Sequence, residues 1–205
     1  MPDFESVLLG NNSQSSAWDE LYKWYIDNRI LVINASIDDN VIEDYIMYIL
    51  RWNKEDKDLP VDKRNPIRIF ISSPGGNVFN ANILIDIITA SKTPIWGIGL
   101  DLVASAGYCM FLACHKRFAF NMCSFLQHEG EISIENSRSK ARQTSEYLDS
   151  MEDKAKKFIL SRTLITEELY NEMYEAEFWM DSNKAKELGV IDQIIGVDCE
   201  LEDIL

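Results

Sequence analysis

Apolar and polar positions follow two rhythms along this chain. Nearly continuous apolar runs occur at Arg29-Ile30-Leu31-Val32-Ile33, Ile67-Arg68-Ile69-Phe70-Ile71 and Pro94-Ile95-Trp96-Gly97-Ile98. Runs of that length and β-branched content predict buried strands. Between them the apolar positions take helical spacing. Val41, Ile42, Tyr45, Ile46, Ile49 and Leu50 form one such face, with Asp38 and Asp39 as the expected cap. Further helices are predicted over 80–89 and 106–113. A long amphipathic helix is predicted over 144–160, with Tyr147, Leu148, Met151, Ala155, Phe158 and Ile159 on one side. Short strand-like runs fall at 117–120 and 123–127, and a last helix over 182–188 ends at Gly189. Residues 53–65 read as a charged linker, and Gly99 to Ala104 as a connection into the helix that follows.

Strands alternating with helices predict an α/β layered fold with a parallel sheet and right-handed crossovers. The 205 residues suffice for one well-buried core. Residues 1–28 are set apart as a flexible N-terminal segment. It is polar around Asn11-Asn12-Ser13-Gln14-Ser15-Ser16 and is followed by a short helix bearing Trp18, Leu21, Tyr22 and Tyr25. Residues 29–205 are expected to form a single domain.

Charge and cysteine usage narrow the function classes. A net charge of -14 argues against nucleic acid as a partner, because phosphate contacts need concentrated Lys and Arg. No apolar run is long enough to span a bilayer, and the acidic Met1-Pro2-Asp3-Phe4-Glu5 lacks the basic start of a secretory signal. A cytoplasmic protein with no membrane partner is expected. Cys109, Cys114, Cys123 and Cys199 show no zinc-ligand spacing, and the chain has only 2 histidines. No metal and no cofactor are expected.

The candidate chemistry lies in three short segments. Ser105 stands between Ala104 and Ala106-Gly107, at the expected entry to a helix. Small neighbours admit a substrate backbone, and a helix start supplies unpaired N–H groups. Taken alone, a serine in that place is far more often a helix cap than a nucleophile. Ser73-Pro74-Gly75-Gly76 follows a buried strand, and its paired glycines permit a turn that points main-chain N–H groups into a cleft, as an oxyanion hole requires. An ordinary strand-to-helix turn explains it equally well. His128 follows a strand-like run and is the better base candidate, since His115 reads as a solvated turn residue.

Taken in order, these pieces resemble the ClpP family, the proteolytic subunits of Clp proteases, over about 29–195. The segments that carry the resemblance are Ser73-Pro74-Gly75-Gly76, Val103-Ala104-Ser105-Ala106-Gly107, Lys116-Arg117-Phe118-Ala119-Phe120 leading to His128, and Phe178-Trp179-Met180-Asp181-Ser182 with Ala185-Lys186-Glu187-Leu188-Gly189. The resemblance implies a ClpP/crotonase-like β/α superhelix with a protruding long helix, the handle, for ring stacking. It implies a serine endopeptidase with Ser105 as nucleophile, His128 as base, and the backbone N–H groups of Gly76 and Ala106 as oxyanion donors. Gly75 shapes the turn, and Gly130, Glu131 and Ile132 line the extended substrate. The acid falls on Glu177, where the family carries aspartate, with Asp181 as runner-up although helix capping explains it better. The implied partners are further copies of the chain, in a heptameric ring stacked as a double ring, an AAA+ unfoldase, and unfolded protein or peptide substrate. Ala176 replaces an arginine common in relatives and implies a different contact between rings. Three other readings stand beside this one: a catalytically silent structural subunit, a crotonase-type acyl-CoA enzyme, and a phage or mobile-element processing protease of the same family.

Overall fold

The computed structural model describes residues 16–130, 137–174 and 176–205. Helix α1 (Ala17–Asp27) is followed by strand β1 (Ile30–Ile33) and by a π-helical turn (Ile42–Ile46) that runs into α2 (Met47–Glu55). Then come β2 (Ile67–Ser73), α3 (Val78–Ala90), β3 (Ile95–Ala104), α4 (Ala106–Ala113), β4 (Lys116–Phe120) and β5 (Ser124–Gln127). After these come α5 (Arg138–Arg162), α6 (Glu167–Tyr174), β6 (Phe178–Asp181), α7 (Ser182–Glu187), β7 (Gln193–Ile195) and a closing 3-10 turn (Leu201–Ile204). Mixed α/β structure around a parallel sheet is what the apolar runs predict.

The sheet runs β1-β2-β3-β4-β7, all parallel, with β5 on the far half of β3 and β6 antiparallel to β5. β3 is the pivot. Its first half pairs with β4, from Trp96 opposite Lys116 to Gly99 opposite Ala119, and its second half pairs with β5, from Leu102 opposite Ser124 to Ala104 opposite Leu126. The stretch from Gly99 to Ala104, expected to be a connection, therefore continues the strand. Its glycines hid this in the sequence, and the reason for Gly97 is steric: a Cβ there would lie 2.9 Å from the Cys114 sulfur.

One face of the sheet carries the main core. Ile67, Ile69 and Ile71 of β2 are fully buried against it, as period-two alternation requires. Leu84 and Ile88 of α3, and Tyr108, Phe111 and Leu112 of α4, pack onto that face. The opposite face holds a smaller cluster of Ile98, Phe118, Ile195 and Ile204, edged by Phe70 and Trp96.

Several local expectations change. Asp38 does not cap α2; its carboxylate accepts the N–H of Asn40 two residues on, and Ile42 and Leu50 are exposed. The charged linker contains an anchor: Asp56, 3% exposed, takes Arg29 Nη1 at 2.6 Å, Arg29 Nη2 at 2.8 Å and Thr93 Oγ1 at 2.9 Å. The Arg29 guanidinium holds the Asp56 carboxyl below the ordinary aspartate range. His115 is exposed, yet its Nδ1 accepts the Ile95 N–H at 3.1 Å and so clasps the start of β3. Helix α5 is longer than expected, and of its 25 residues only Ile159 is buried. It spans about 37 Å. Helix α6 and strand β7 have signals too short to read from sequence. Among the described residues no helix is long and apolar enough to cross a membrane.

Candidate active site

β3 delivers Ser105 to its place. The Ser105 N–H donates to the Leu126 carbonyl at 2.9 Å, extending the β3–β5 ladder by one step, while the Ser105 carbonyl already accepts from Cys109 N at 3.2 Å. Strand and helix thus meet at a single residue, which takes φ 55° and ψ -126°. A side-chain-bearing residue held there carries strain of about 1–3 kcal/mol. The usual reason for a serine at a helix start does not apply, because Ser105 makes no side-chain capping hydrogen bond to α4. Its hydroxyl is left to face the cleft.

The Gly-Gly turn is built against this residue. Gly75 has φ 101°, and a Cβ on it would lie 2.7 Å from the Ser105 Cβ and 3.1 Å from Ala106 N. Gly76 has φ 146°, and a Cβ there would collide with the Ile37 backbone. A short parallel bridge holds the turn: Ile37 N donates to the Gly75 carbonyl at 2.8 Å, and Asn77 N donates to the Ile37 carbonyl at 2.9 Å. In a parallel bridge the residue between those two partners points its own N–H the other way. That residue is Gly76. The Ala106 N–H, in the first turn of α4, has no acceptor within the helix. The two expected oxyanion donors are therefore free of bonds within these elements, and their turn abuts Ser105.

His128 and Glu177 come from segments far apart in sequence. β5 and β6 pair with Ser124 opposite Asp181 and Gln127 opposite Phe178. The ladder ends there, so His128 and Glu177 leave it side by side, one residue beyond its last pair on each strand. Glu177 is exposed, and its Oε2 accepts the Trp179 indole N–H at 3.2 Å. Among the described residues no hydrogen bond joins Ser105 to His128 or His128 to Glu177. Asp181 caps α7, accepting Lys184 N at 2.8 Å. Glu131 and Ile132 lie outside the described residues, and Gly130 stands at the rim of the cleft.

A cavity of about 510 Å³ opens beside Ser105 and His128. Val78, Phe79 and Ile85 of α3 form one wall, and Leu148, Met151 and Phe158 of α5 form another. Cys109 also lines it, but burial pushes that thiol up to about 12, so at neutral pH it is a protonated thiol and a poor nucleophile. Burial likewise raises Tyr170 to about 12. The Tyr174 hydroxyl is raised by burial and by its bonds to Glu152 and Glu129, and it donates to Glu129 at 3.3 Å. Sequence reasoning missed Gln127 in this wall. The visible signal was a polar residue ending the buried apolar run Phe125-Leu126.

Comparison with known proteins bears on the chain as a whole. The family description "Clp protease" matches residues 13–198. Among curated proteins, the ATP-dependent Clp protease proteolytic subunit 2 of Treponema pallidum is 26% identical, over 85% of this chain and 85% of that protein. The ATP-dependent Clp protease proteolytic subunit of Paracoccus denitrificans is 27% identical over 83% of each chain, and proteolytic subunit 2 of Pseudomonas aeruginosa is 24% identical over 94% and 93%. A solved mutant of ClpP1 from Listeria monocytogenes superposes with a TM-score of 0.75 at 24% identity, covering 90% of this chain and 99% of its own. The fold is therefore of the ClpP type.

Proposed function

Because the chain belongs to the Clp protease family and is a Clp-type serine endopeptidase, we propose that Ser105 is its nucleophile, His128 its general base and Glu177 the carboxylate that orients His128. Ser105 Oγ attacks the scissile carbonyl while His128 removes its proton. The developing oxyanion is held by the N–H groups of Gly76 and Ala106, each such donor being worth roughly 10²–10³ in rate. His128 then returns the proton to the leaving amine, and water resolves the acyl-enzyme by the same route. Glu177 supports the imidazolium from the segment alongside it. The observation that carries the assignment is the backbone of Ser105, strained at a strand-to-helix junction, uncapped, and in contact with Gly75. Substrate lies extended along Gly130, Glu131 and Ile132 as an added strand, held mainly by main-chain bonds.

Access to such a site is controlled by assembly. We assign the chain to a self-compartmentalising chamber, a heptameric ring stacked in pairs and served by an AAA+ unfoldase. Support comes from α5, a long helix with a single buried residue, and from the exposed apolar side chains Trp18, Tyr22 and Trp24 of α1, surfaces suited to contact between subunits. Native mass spectrometry is expected to give a multiple of seven chains.

The catalytically silent reading draws on one observation, the absence of hydrogen bonds among Ser105, His128 and Glu177 in this single chain. A fluorophosphonate probe separates the two. Labelling at Ser105, located by peptide mass spectrometry and lost in His128→Ala, supports the peptidase assignment. A well-folded, assembled protein that does not label supports the silent subunit.

A further inference from the structure

We propose that the outward side of α5 is a self-complementary charged surface whose partner is α5 of a second copy of the chain in the opposite ring. The two helices lie antiparallel, with Arg138 and Arg142 of each facing Asp153 and Asp149 of the other. The proposal rests on the double-ring reading above and names what sets the register between rings and what regulates it.

The surface is defined by four exposed charges. Arg138, Arg142, Asp149 and Asp153 follow one another at spacings of four, seven and four, which return to one side of a helix with 3.6 residues per turn. Leu148, Met151 and Ala155, which line the cavity, and the buried Ile159 fall on a different side. Among the described residues the side chains of Arg138, Asp149 and Asp153 have no ion pair or hydrogen bond. Arg142 meets only Glu146 of its own helix, at 3.1 Å, and its side chain remains 82% exposed.

The order of the signs matters more than their number. The midpoint between Arg142 and Asp149 is also the midpoint between Arg138 and Asp153, and it falls between Ser145 and Glu146. A two-fold axis through that point, perpendicular to the helix, sets every arginine of the stripe opposite an aspartate of the other copy. A parallel pair in the same register would set arginine against arginine. At the axis Ser145 is small enough for close approach, and the charge of Glu146 is already met by Arg142. The stripe extends for about 22 Å along the helix.

That symmetry also says where the second copy stands. Neighbours within one ring are related by rotation about the ring axis and have no two-fold axis between them. Two rings stacked face to face do. The stripe therefore fits a copy in the opposite ring. Ion pairs this exposed add little stability singly, but they fix orientation and register by opposing like charges in the wrong arrangement. They are also screened by salt, so stacking should loosen as ionic strength rises, whereas an apolar contact would not.

The test follows ring stacking of the full-length protein by sedimentation velocity and native mass spectrometry. Raising NaCl from about 50 mM to about 500 mM is expected to weaken association of single rings into double rings at least ten-fold. Arg138→Glu with Arg142→Glu should leave single rings, and so should Asp149→Arg with Asp153→Arg, because each change sets like charges across the axis. Mixing these two proteins should restore stacking, as double rings that hold one ring of each. Wild-type double rings indifferent to salt, reversed variants that stack unaided, or a mixture that stays as single rings would each overturn the proposal. The salt series needs no variant, so misfolding of either one does not remove the test. Salt-resistant double rings in the wild type sink the charged stripe alone. A wild type that forms no double ring at any salt overturns the double-ring reading with it.

Discussion

Gly75 lies so close beneath Ser105 that a methyl group on it would sit 2.7 Å from the Ser105 Cβ. Real side chains do not approach so nearly, and the Gly75 φ of 101° already disfavours any L residue. The glycine and the serine are therefore one structural unit: the turn can hold its N–H groups beside the nucleophile only because position 75 has no side chain. Gly75→Ala is expected to lower stability by about 1–3 kcal/mol in denaturant melts. It should also reduce peptide turnover at least 10²-fold, through displacement of the oxyanion donors. Wild-type turnover in a folded Gly75→Ala would show that the turn takes no part in catalysis.

The strain at Ser105 makes a prediction of opposite sign. Glycine adopts φ 55° without penalty, so Ser105→Gly should abolish activity while raising stability by about 1 kcal/mol, net of the added entropy of the unfolded chain. Ser105→Ala keeps the Cβ and should abolish activity with no such gain. Thermal melts of the two variants side by side decide it; equal stability would mean that Ser105 is unstrained.

Glu177 precedes Phe178 and His128 follows Gln127, the two residues that form the last pair of the β5–β6 ladder. The charge of Glu177 is expected to matter more than its length. Glu177→Gln should cut kcat/KM by about 10²-fold or more with little change in melting temperature, because the side chain is exposed and its loss empties no core. Glu177→Asp should recover most of the loss. Full activity in Glu177→Gln would remove this residue from the triad.

The Arg29–Asp56–Thr93 anchor ties the segment after α2 to the starts of β1 and β3. Removing the carboxylate strands a half-buried guanidinium, so Asp56→Ala is expected to cost about 3 kcal/mol or more. Acid should have a related effect. The folded-state pKa of Asp56 is depressed from the ordinary 3.8, chiefly by its bonds to Arg29. Its contribution is thus fully present above that value and is lost as pH falls through the lowered one. Stability measured from pH 6 downward should drop more steeply in the wild type than in Asp56→Asn. Parallel curves would show the pair to be uncoupled from folding.

Cys109 shares the cavity with Ser105, yet its thiol is pushed up to about 12. Iodoacetamide is therefore expected to leave it unmodified at pH 8 under conditions in which a fluorophosphonate labels Ser105. Rapid alkylation of Cys109 at neutral pH would show that the cavity is far wetter than its lining suggests.

Much of this protein follows from local sequence. The apolar runs at β1, β2 and β3 are recognisable because a strand covered on both faces tolerates little else, and the order of the Gly-Gly turn, Ser105 and His128 carries the family resemblance. Glycine obscured the second half of β3: its local preference is for turns, and only contact with Cys114 and Cys123 explains Gly97 and Gly99 as strand residues. Asp56 read as one more charge in a linker, because an ion pair with Arg29 is invisible until the chain folds back 27 residues. The tertiary structure likewise decided that Ser105 does not cap its helix, and that the β5–β6 ladder brings the segments bearing His128 and Glu177 side by side. Each depends on which groups approach through space. Periodicity and propensity report how a residue treats its neighbours along the chain, while strain, burial and unmet hydrogen bonds arise only where distant segments touch.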